Sequence, residues 1–224
     1  MKIFIDTADI EQIRKFAKLG IVDGVTTNPA ILAKEGRNFR DVVDEILEIV
    51  DGPISGEVVS LDADDMVKEA RALAKINDNI VVKLPAIPAG FEALHRISSE
   101  GIKTNFTVVF TANQALLAAK NGATYVSPFV GRLDANAGCG ADIVSEIALI
   151  YRNYGFKTQI LAASMRTCLY VKRAAMAGAH VATVPPTVLD DMINSELSMV
   201  ALDGFLEEWN KMPENTRDIF GEGE

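Results

Sequence analysis

Eight short apolar runs recur along the chain, and no other feature limits its fold as tightly. They cover residues 3–6, 24–27, 54–59, 80–84, 105–109, 125–130, 159–164 and 180–184. Successive runs begin roughly 20 to 35 residues apart, the length a strand and its following helix occupy. Most lack polar alternation, which suits strands covered on their outer face by helices. The intervals between them carry helical stripes. Ile10, Ile13, Phe16 and Ala17 form the first, with Thr7 as its expected N-cap. Met66, Val67, Ala70, Leu73 and Ala74 form another, and Ile143, Val144, Ile147, Ile150 and Tyr151 a third. A helix that packs its stripe on the sheet returns the chain to a parallel neighbouring strand. Eight such units in 224 residues, with no long break in composition, predict an α/β chain with a single (β/α)8 TIM barrel domain over 1–224. A doubly wound open sheet satisfies the same periodicity.

An extra C-terminal helix is expected at about 198–212, with Leu202, Phe205, Leu206 and Trp209 on one stripe. It either folds back on its own barrel or packs on a neighbouring subunit. The polar, glycine-bearing tail after Met212 reads as frayed.

Charge narrows the partners. Acidic residues outnumber basic ones 31 to 22, a net charge of −9. That surface disfavours nucleic acid and anionic membrane, so an anionic substrate has to be met by a few placed cations. Cys139 and Cys168 make neither a disulfide framework nor a zinc spacing. His95 and His180 are too few for a histidine metal site and read as structural or solvent-facing. The first residues lack the signature of a signal peptide, and no apolar run reaches the roughly 20 residues that span a bilayer. A soluble cytoplasmic protein is expected.

A barrel enzyme draws its chemistry from the carboxyl ends of its strands. In order, those ends offer Asp6, then Thr26 and Asn28, Glu57, Lys83, Asn105 and Thr107, Ser127 with Arg132, and Ser164 with Arg166. The eighth strand offers little beyond Thr183. Lys83 stands out because it interrupts Ile80-Val81-Val82-Lys83-Leu84-Pro85, an otherwise buried strand. A buried ammonium without a partner tends to lose its proton, and a neutral amine attacks carbonyls to form a Schiff base. The competing reading is a structural ion pair with a carboxylate. Side chains two apart share a strand face, which sets Lys83 with Val81 towards the barrel axis and Val82 and Leu84 towards the helices. Any one threonine or serine among these ends is a satisfied core polar group. Polar residues at seven of the eight ends are hard to explain as packing. Arg132 and Arg166, aided by Ser164, are the candidate phosphate grip, since arginine presents a planar pair of donors. Either arginine alone reads better as a surface ion pair with an acid such as Asp134. The chain has no P-loop and no GxGxxG. Gly138-Cys139-Gly140 is too short to carry weight and reads as the opening of a helix.

Six blocks, in order, resemble the transaldolase family and its short-subunit branch, which includes the fructose-6-phosphate aldolases. They are Phe4-Ile5-Asp6-Thr7-Ala8, Gly24-Val25-Thr26-Thr27-Asn28-Pro29, Ile80-Val81-Val82-Lys83-Leu84-Pro85, Thr104-Asn105-Phe106-Thr107, Tyr125-Val126-Ser127-Pro128-Phe129-Val130-Gly131-Arg132 and Ile160-Leu161-Ala162-Ala163-Ser164. Each block is weak evidence alone; the ordered set spans strands one to seven. The resemblance implies a (β/α)8 barrel with Lys83 as its Schiff-base residue and Asp6 as the group that takes the C4 hydroxyl proton while the C3–C4 bond breaks. It assigns Glu57 and Thr107 to a water-mediated proton relay. Asn28 and Asn105 then hold the dihydroxyacetone hydroxyls, with Ser127 beside them, and Arg132, Ser164 and Arg166 hold the phosphate. Thr26 and Phe129 are taken to line the same site. No metal or organic cofactor is implied. Donors such as fructose 6-phosphate or sedoheptulose 7-phosphate and acceptors such as erythrose 4-phosphate or glyceraldehyde 3-phosphate are expected, within the non-oxidative pentose phosphate pathway. So is a homo-oligomer built from pentameric rings, alone or paired as a decamer.

Within that family the aldolase branch carries Gln at the position of Glu57, Tyr at that of Phe129, and apolar residues at those of Asn105 and Ser127. This chain has the transferase residue at all four, which favours transaldolase over an aldolase releasing dihydroxyacetone. Ala30, where many members have Ser, and the Ala86-Ile87-Pro88 turn depart from the usual pattern without touching a named chemical role. A non-catalytic sugar-phosphate binding barrel would have lost Lys83 or its proton-transfer partners. A metal-dependent aldolase would want a histidine cluster the chain lacks.

Overall fold

The computed structural model describes residues 1–136 and 139–217. Gly138 of the short glycine motif and the end of the tail, 218–224, lie outside the described residues. The described chain falls into two units, one covering Met1–Val188 and one beginning at Leu189.

The first unit holds eight parallel strands: β1 (Lys2–Asp6), β2 (Gly24–Thr26), β3 (Ile54–Glu57), β4 (Ile80–Pro85), β5 (Thr104–Val109), β6 (Tyr125–Pro128), β7 (Gln159–Ala162) and β8 (Val181–Val184). They close in sequence order, with β8 pairing back onto β1, so the structure is a (β/α)8 barrel and not an open sheet. Each expected run is a strand, its ends trimmed or extended by a residue or two. Trimming at the end of β7 has a local cause: Ser164 has a φ of 62°, which no strand continues.

The helices α1 (Ile10–Ala17), α2 (Pro29–Glu35), α3 (Phe39–Ile49), α4 (Ala63–Ala74), α5 (Pro88–Ser98), α6 (Ala112–Lys120), α7 (Val130–Asp134), α8 (Gly140–Tyr154), α9 (Cys168–Met176) and α10 (Pro186–Ile193) fill the intervals. The anticipated stripes are the buried faces: Ile13 and Phe16 on α1, Met66, Val67 and Ala70 on α4, and Ile143, Val144, Ile147 and Tyr151 on α8. Burial of one such large apolar side chain is worth about 1.5–3 kcal/mol. One cap differs from expectation. Asp9, not Thr7, caps α1 by accepting from Gln12 N at 3.1 Å, while Thr7 Oγ1 accepts from Asp9 N at 3.2 Å. The helix begins at Ile10, which leaves Thr7 two residues short of the capping position, where it steadies the true cap.

Inside the barrel, Phe4, Val81, Tyr125, Leu161, Ala163 and Val181 pack as one apolar layer, with Phe4 and Tyr125 edge to face at 6.0 Å. This layer decides where the chemistry sits. Side chains two residues further along β1, β4, β6 and β8 share its face, which points Asp6, Lys83, Ser127 and Thr183 inward just above it. A bulge reshapes β5: Phe106 pairs with Val126 but Val109 pairs with Pro128, so β5 carries one extra residue between them. Val108 lies there at a φ of 59°, a strained conformation for a β-branched side chain, and Thr107 stands beside it.

The second unit contains α11 (Glu196–Lys211), which covers the expected terminal helix and starts two residues earlier. Ser195 caps it, accepting from Ser198 N at 3.3 Å. Leu197, Val200, Leu202, Phe205 and Leu206 are all exposed. Among the described residues no helix is long and apolar enough to cross a membrane.

Candidate active site

Above the apolar layer is a cavity of about 170 Å³, lined by Asp6, Thr26, Asn28, Lys83, Thr107, Ser127, Phe129, Arg132, Ser164 and Thr183 over Leu161 and Ala163. Its lining comes from the carboxyl ends of seven strands and the short segments that follow them, where barrel enzymes keep their reactive groups.

Lys83 is 7% exposed, yet its ammonium is not isolated. Its Nζ lies 3.0 Å from Glu57 Oε2 and donates to the Thr27 carbonyl at 3.0 Å. Glu57 and Lys83 stand directly opposite each other in the β3–β4 register, which makes this pairing a product of the ladder itself. The ion pair anticipated as a competing explanation is thus present, and it is compatible with chemistry. The partner that offsets the desolvation of the ammonium is also a base within reach of its proton.

Asp6 faces the same space. Burial raises its pKa above the ordinary carboxylate value; the hydrogen bond from Thr26 and the charge of Lys83 pull it down, and Glu57 pushes it up. Thr26 Oγ1 donates to Asp6 Oδ1 at 2.7 Å and is in hydrogen-bond contact with Thr183 Oγ1. The Thr26 hydroxyl is therefore engaged with Asp6 before any ligand arrives.

The amides are held differently. Asn28 Oδ1 caps α2, accepting from Ile31 N at 2.9 Å, which leaves its Nδ2 for the cavity. Asn105 is fully buried and stands opposite Lys83 in the β4–β5 register; its Oδ1 accepts from Ser127 Oγ at 2.6 Å while its Nδ2 has no partner. A buried donor left unpaired is costly, and Asn105, like Glu57, stands behind the residues that line the cavity rather than among them.

Phe129 bridges the inner layer and the mouth, packed edge to face on Phe110 at 5.6 Å, with the Arg132 guanidinium 5.2 Å over its ring. Ser164, in its left-handed conformation, lines the cavity beside Arg132. Gly131 permits that approach, because a Cβ there would run into the Ser164 carbonyl oxygen. The expected phosphate trio is not all brought together. Arg132 and Ser164 line the cavity, whereas Arg166 is exposed and outside the lining.

Two participants carried no clear signal in the sequence. Thr183 looks like ordinary strand packing until its hydroxyl is found against Thr26. The Thr27 carbonyl is a main-chain atom and has no residue signature at all. Among the described residues no three His, Cys, Asp or Glu side chains are grouped as metal ligands would be.

The chain matches the family model described as Transaldolase/Fructose-6-phosphate aldolase over residues 3–221. It is 54% identical over 214 residues to a "Probable transaldolase" of Caldicellulosiruptor saccharolyticus, covering 95% of this chain and 99% of that protein. A protein with the same description from Geotalea daltonii is 54% identical over 213 residues, covering 95% of this chain and 100% of its own. One from Geobacter sulfurreducens is 53% identical over 213 residues, with the same shares of each chain. The ordered strand-end residues, the closed barrel and these matches agree: the chain belongs to the transaldolase/fructose-6-phosphate aldolase family.

Proposed function

We propose that the chain is a transaldolase, moving a dihydroxyacetone unit from a ketose phosphate to an aldose phosphate through a Schiff base on Lys83. The observation that carries this reading is the buried Lys83 amine, 3.0 Å from the Glu57 carboxylate in the same inner face as Asp6. Proton transfer to Glu57 frees the amine, which attacks the C2 carbonyl of the donor. Loss of water, relayed by Glu57 and Thr107, leaves an iminium. The Asp6 carboxylate takes the C4 hydroxyl proton, C4 becomes an aldehyde carbon, and the C3–C4 electron pair passes into the iminium as an enamine. The first aldose leaves, a second accepts the enamine carbon while Asp6 returns the proton, and hydrolysis releases the new ketose. Asn28 and Asn105, with Ser127, meet the hydroxyls of the retained unit. Arg132 and Ser164 meet the phosphate, and Arg166 joins them only if its side chain turns inward on binding.

Transfer is favoured over release because Phe129 gives water no hydroxyl to hold near the enamine. The substrates are small sugar phosphates, met in the cytoplasm, in the non-oxidative pentose phosphate pathway. We read 1–224 as one barrel domain whose terminal helix serves a homo-oligomer, pentameric or decameric, and the exposed apolar side chains of α11 support that use.

Incubation with fructose 6-phosphate and borohydride is expected to add one reduced three-carbon or ketose unit at Lys83, located by peptide mass spectrometry. Addition elsewhere sinks the mechanism. With erythrose 4-phosphate present, the unit is expected in a seven-carbon ketose phosphate. Free dihydroxyacetone formed at a comparable rate without acceptor would assign the chain to the aldolase activity instead.

A further inference from the structure

We propose that Thr183, on the last strand, is a positioning residue for Asp6, donating its hydroxyl proton to Thr26 and so committing the Thr26 proton to the Asp6 carboxylate. The direction follows from counting. A threonine hydroxyl has one proton and two lone pairs. With Asp6 ionised, Thr26 places its proton on Asp6 Oδ1 at 2.7 Å, so in its contact with Thr183 Oγ1 it can only accept. Thr183 is therefore the donor, and the chain runs Thr183 to Thr26 to Asp6.

Its placement is specific. β2 and β8 are not neighbours; β1 lies between them, and the two hydroxyls meet across its inner face. Thr26 is 2% exposed and Thr183 4%, so the pair meets on the cavity wall with little surface open to solvent. In such surroundings each hydrogen bond polarises the next. Valine would fill nearly the volume of Thr183 in this β-strand, so what the threonine adds is its oxygen.

The groups that act on Asp6 come from three strands: Thr26 from β2, Glu57 from β3 and Lys83 from β4. After burial, the Thr26 hydrogen bond is the largest influence on the Asp6 carboxyl, and it favours the ionised form. A Thr26 hydroxyl that has lost its own donor is a weaker donor and is free to turn away. Removing the Thr183 hydroxyl then raises the pH at which Asp6 becomes a base.

This inference rests on Asp6 being the proton acceptor in bond cleavage, and the experiment separates the two claims. The pH profile of kcat/KM for fructose 6-phosphate with erythrose 4-phosphate is measured for Thr183→Val, Thr183→Ser and Thr26→Val, alone and combined. Thr183→Val is expected to move the acidic limb up by about half a pH unit. The yield of the Lys83 adduct well above that limb should stay unchanged. Thr183→Ser restores the original limb. In the Thr26→Val background, Thr183→Val causes no further shift, because it acts only through Thr26. An unmoved limb in a folded Thr183→Val protein overturns the proposal. So does a Ser variant that behaves like Val, or a further shift in the Thr26→Val background. A raised KM with an unmoved limb would put Thr183 on the substrate, which overturns it equally. Should Thr183→Val fail to fold by circular dichroism, Thr183→Ala is read in the same way. Native cleavage by Asp6→Asn would instead defeat the assignment of Asp6 as base.

Discussion

Asp6 brings a carboxylate into surroundings that penalise its charge, and its cost and its use have the same origin. Because burial raises its native pKa above the unfolded value of 3.8, the folded protein keeps the proton over a pH window in which the unfolded chain has released it. Stability therefore falls as pH rises through that window, and ionised Asp6 is a net cost at neutral pH. Asp6→Asn, whose amide oxygen can still accept from Thr26, is expected to raise the Tm at pH 7 by a few degrees. The gain should vanish near pH 3, where both states hold the proton. The same substitution should lower the rate of bond cleavage by about 10²- to 10⁴-fold while leaving the borohydride-trapped adduct at Lys83 in place. Much of this chemistry is visible in the sequence, because Lys83 and Asp6 violate the apolar rule of their strands. Thr183 violates nothing, and so the partner that completes the Asp6 chain is found only in three dimensions. Arg166 shows the reverse case. Its charge and position nominate it, yet it is exposed and outside the cavity lining.

Strands and helices are the scale at which sequence and structure agree best. Near-continuous apolar runs have no second way to bury both faces, and helical stripes of this width have one face to hide. What periodicity does not carry is the bulge in β5, since one extra residue in a polar–apolar stretch leaves the composition unchanged. Helix starts are also blurred where two capping residues, Thr7 and Asp9, lie close together. The seam between β7 and β8 has its own titration. Ile160 N donates to His180 Nδ1 at 3.0 Å, and His180 N donates to Ile160 O at 3.0 Å. Burial lowers the His180 pKa, and a protonated Nδ1 could no longer accept. The unfolded chain then takes up the proton first, so this seam loses stability as pH falls through about 6.5. The effect on Tm should be small, about 2 °C or less between pH 7 and 5.5. Comparison with His180→Asn, which keeps an acceptor in place of Nδ1 and does not titrate, isolates it.

For the whole molecule, α11 is the element whose apolar surface has no use within its own helix. Leu197 is 83% exposed and Phe205 72%. Apolar side chains grouped at this exposure are the surface that the proposed assembly would cover. In a symmetric ring every copy would cover the same patch on its neighbour. Sedimentation at micromolar concentration should give a species several times the 24.2 kDa of the chain. The double substitution Phe205→Asp and Leu206→Asp should shift it towards the monomer with the barrel still folded. A native chain that sediments as a monomer refutes the assembly.

Closure of the barrel has a consequence in time. The contact between Thr26 and Thr183 joins residues 157 positions apart, and β8 is the last strand made. A nascent chain already displays Lys83 long before it can present a finished Asp6. Under the role proposed for Thr183, the ring shuts and the hydrogen-bond chain to Asp6 is completed in the same event, so an unfinished copy holds an Asp6 whose Thr26 donor has no donor of its own.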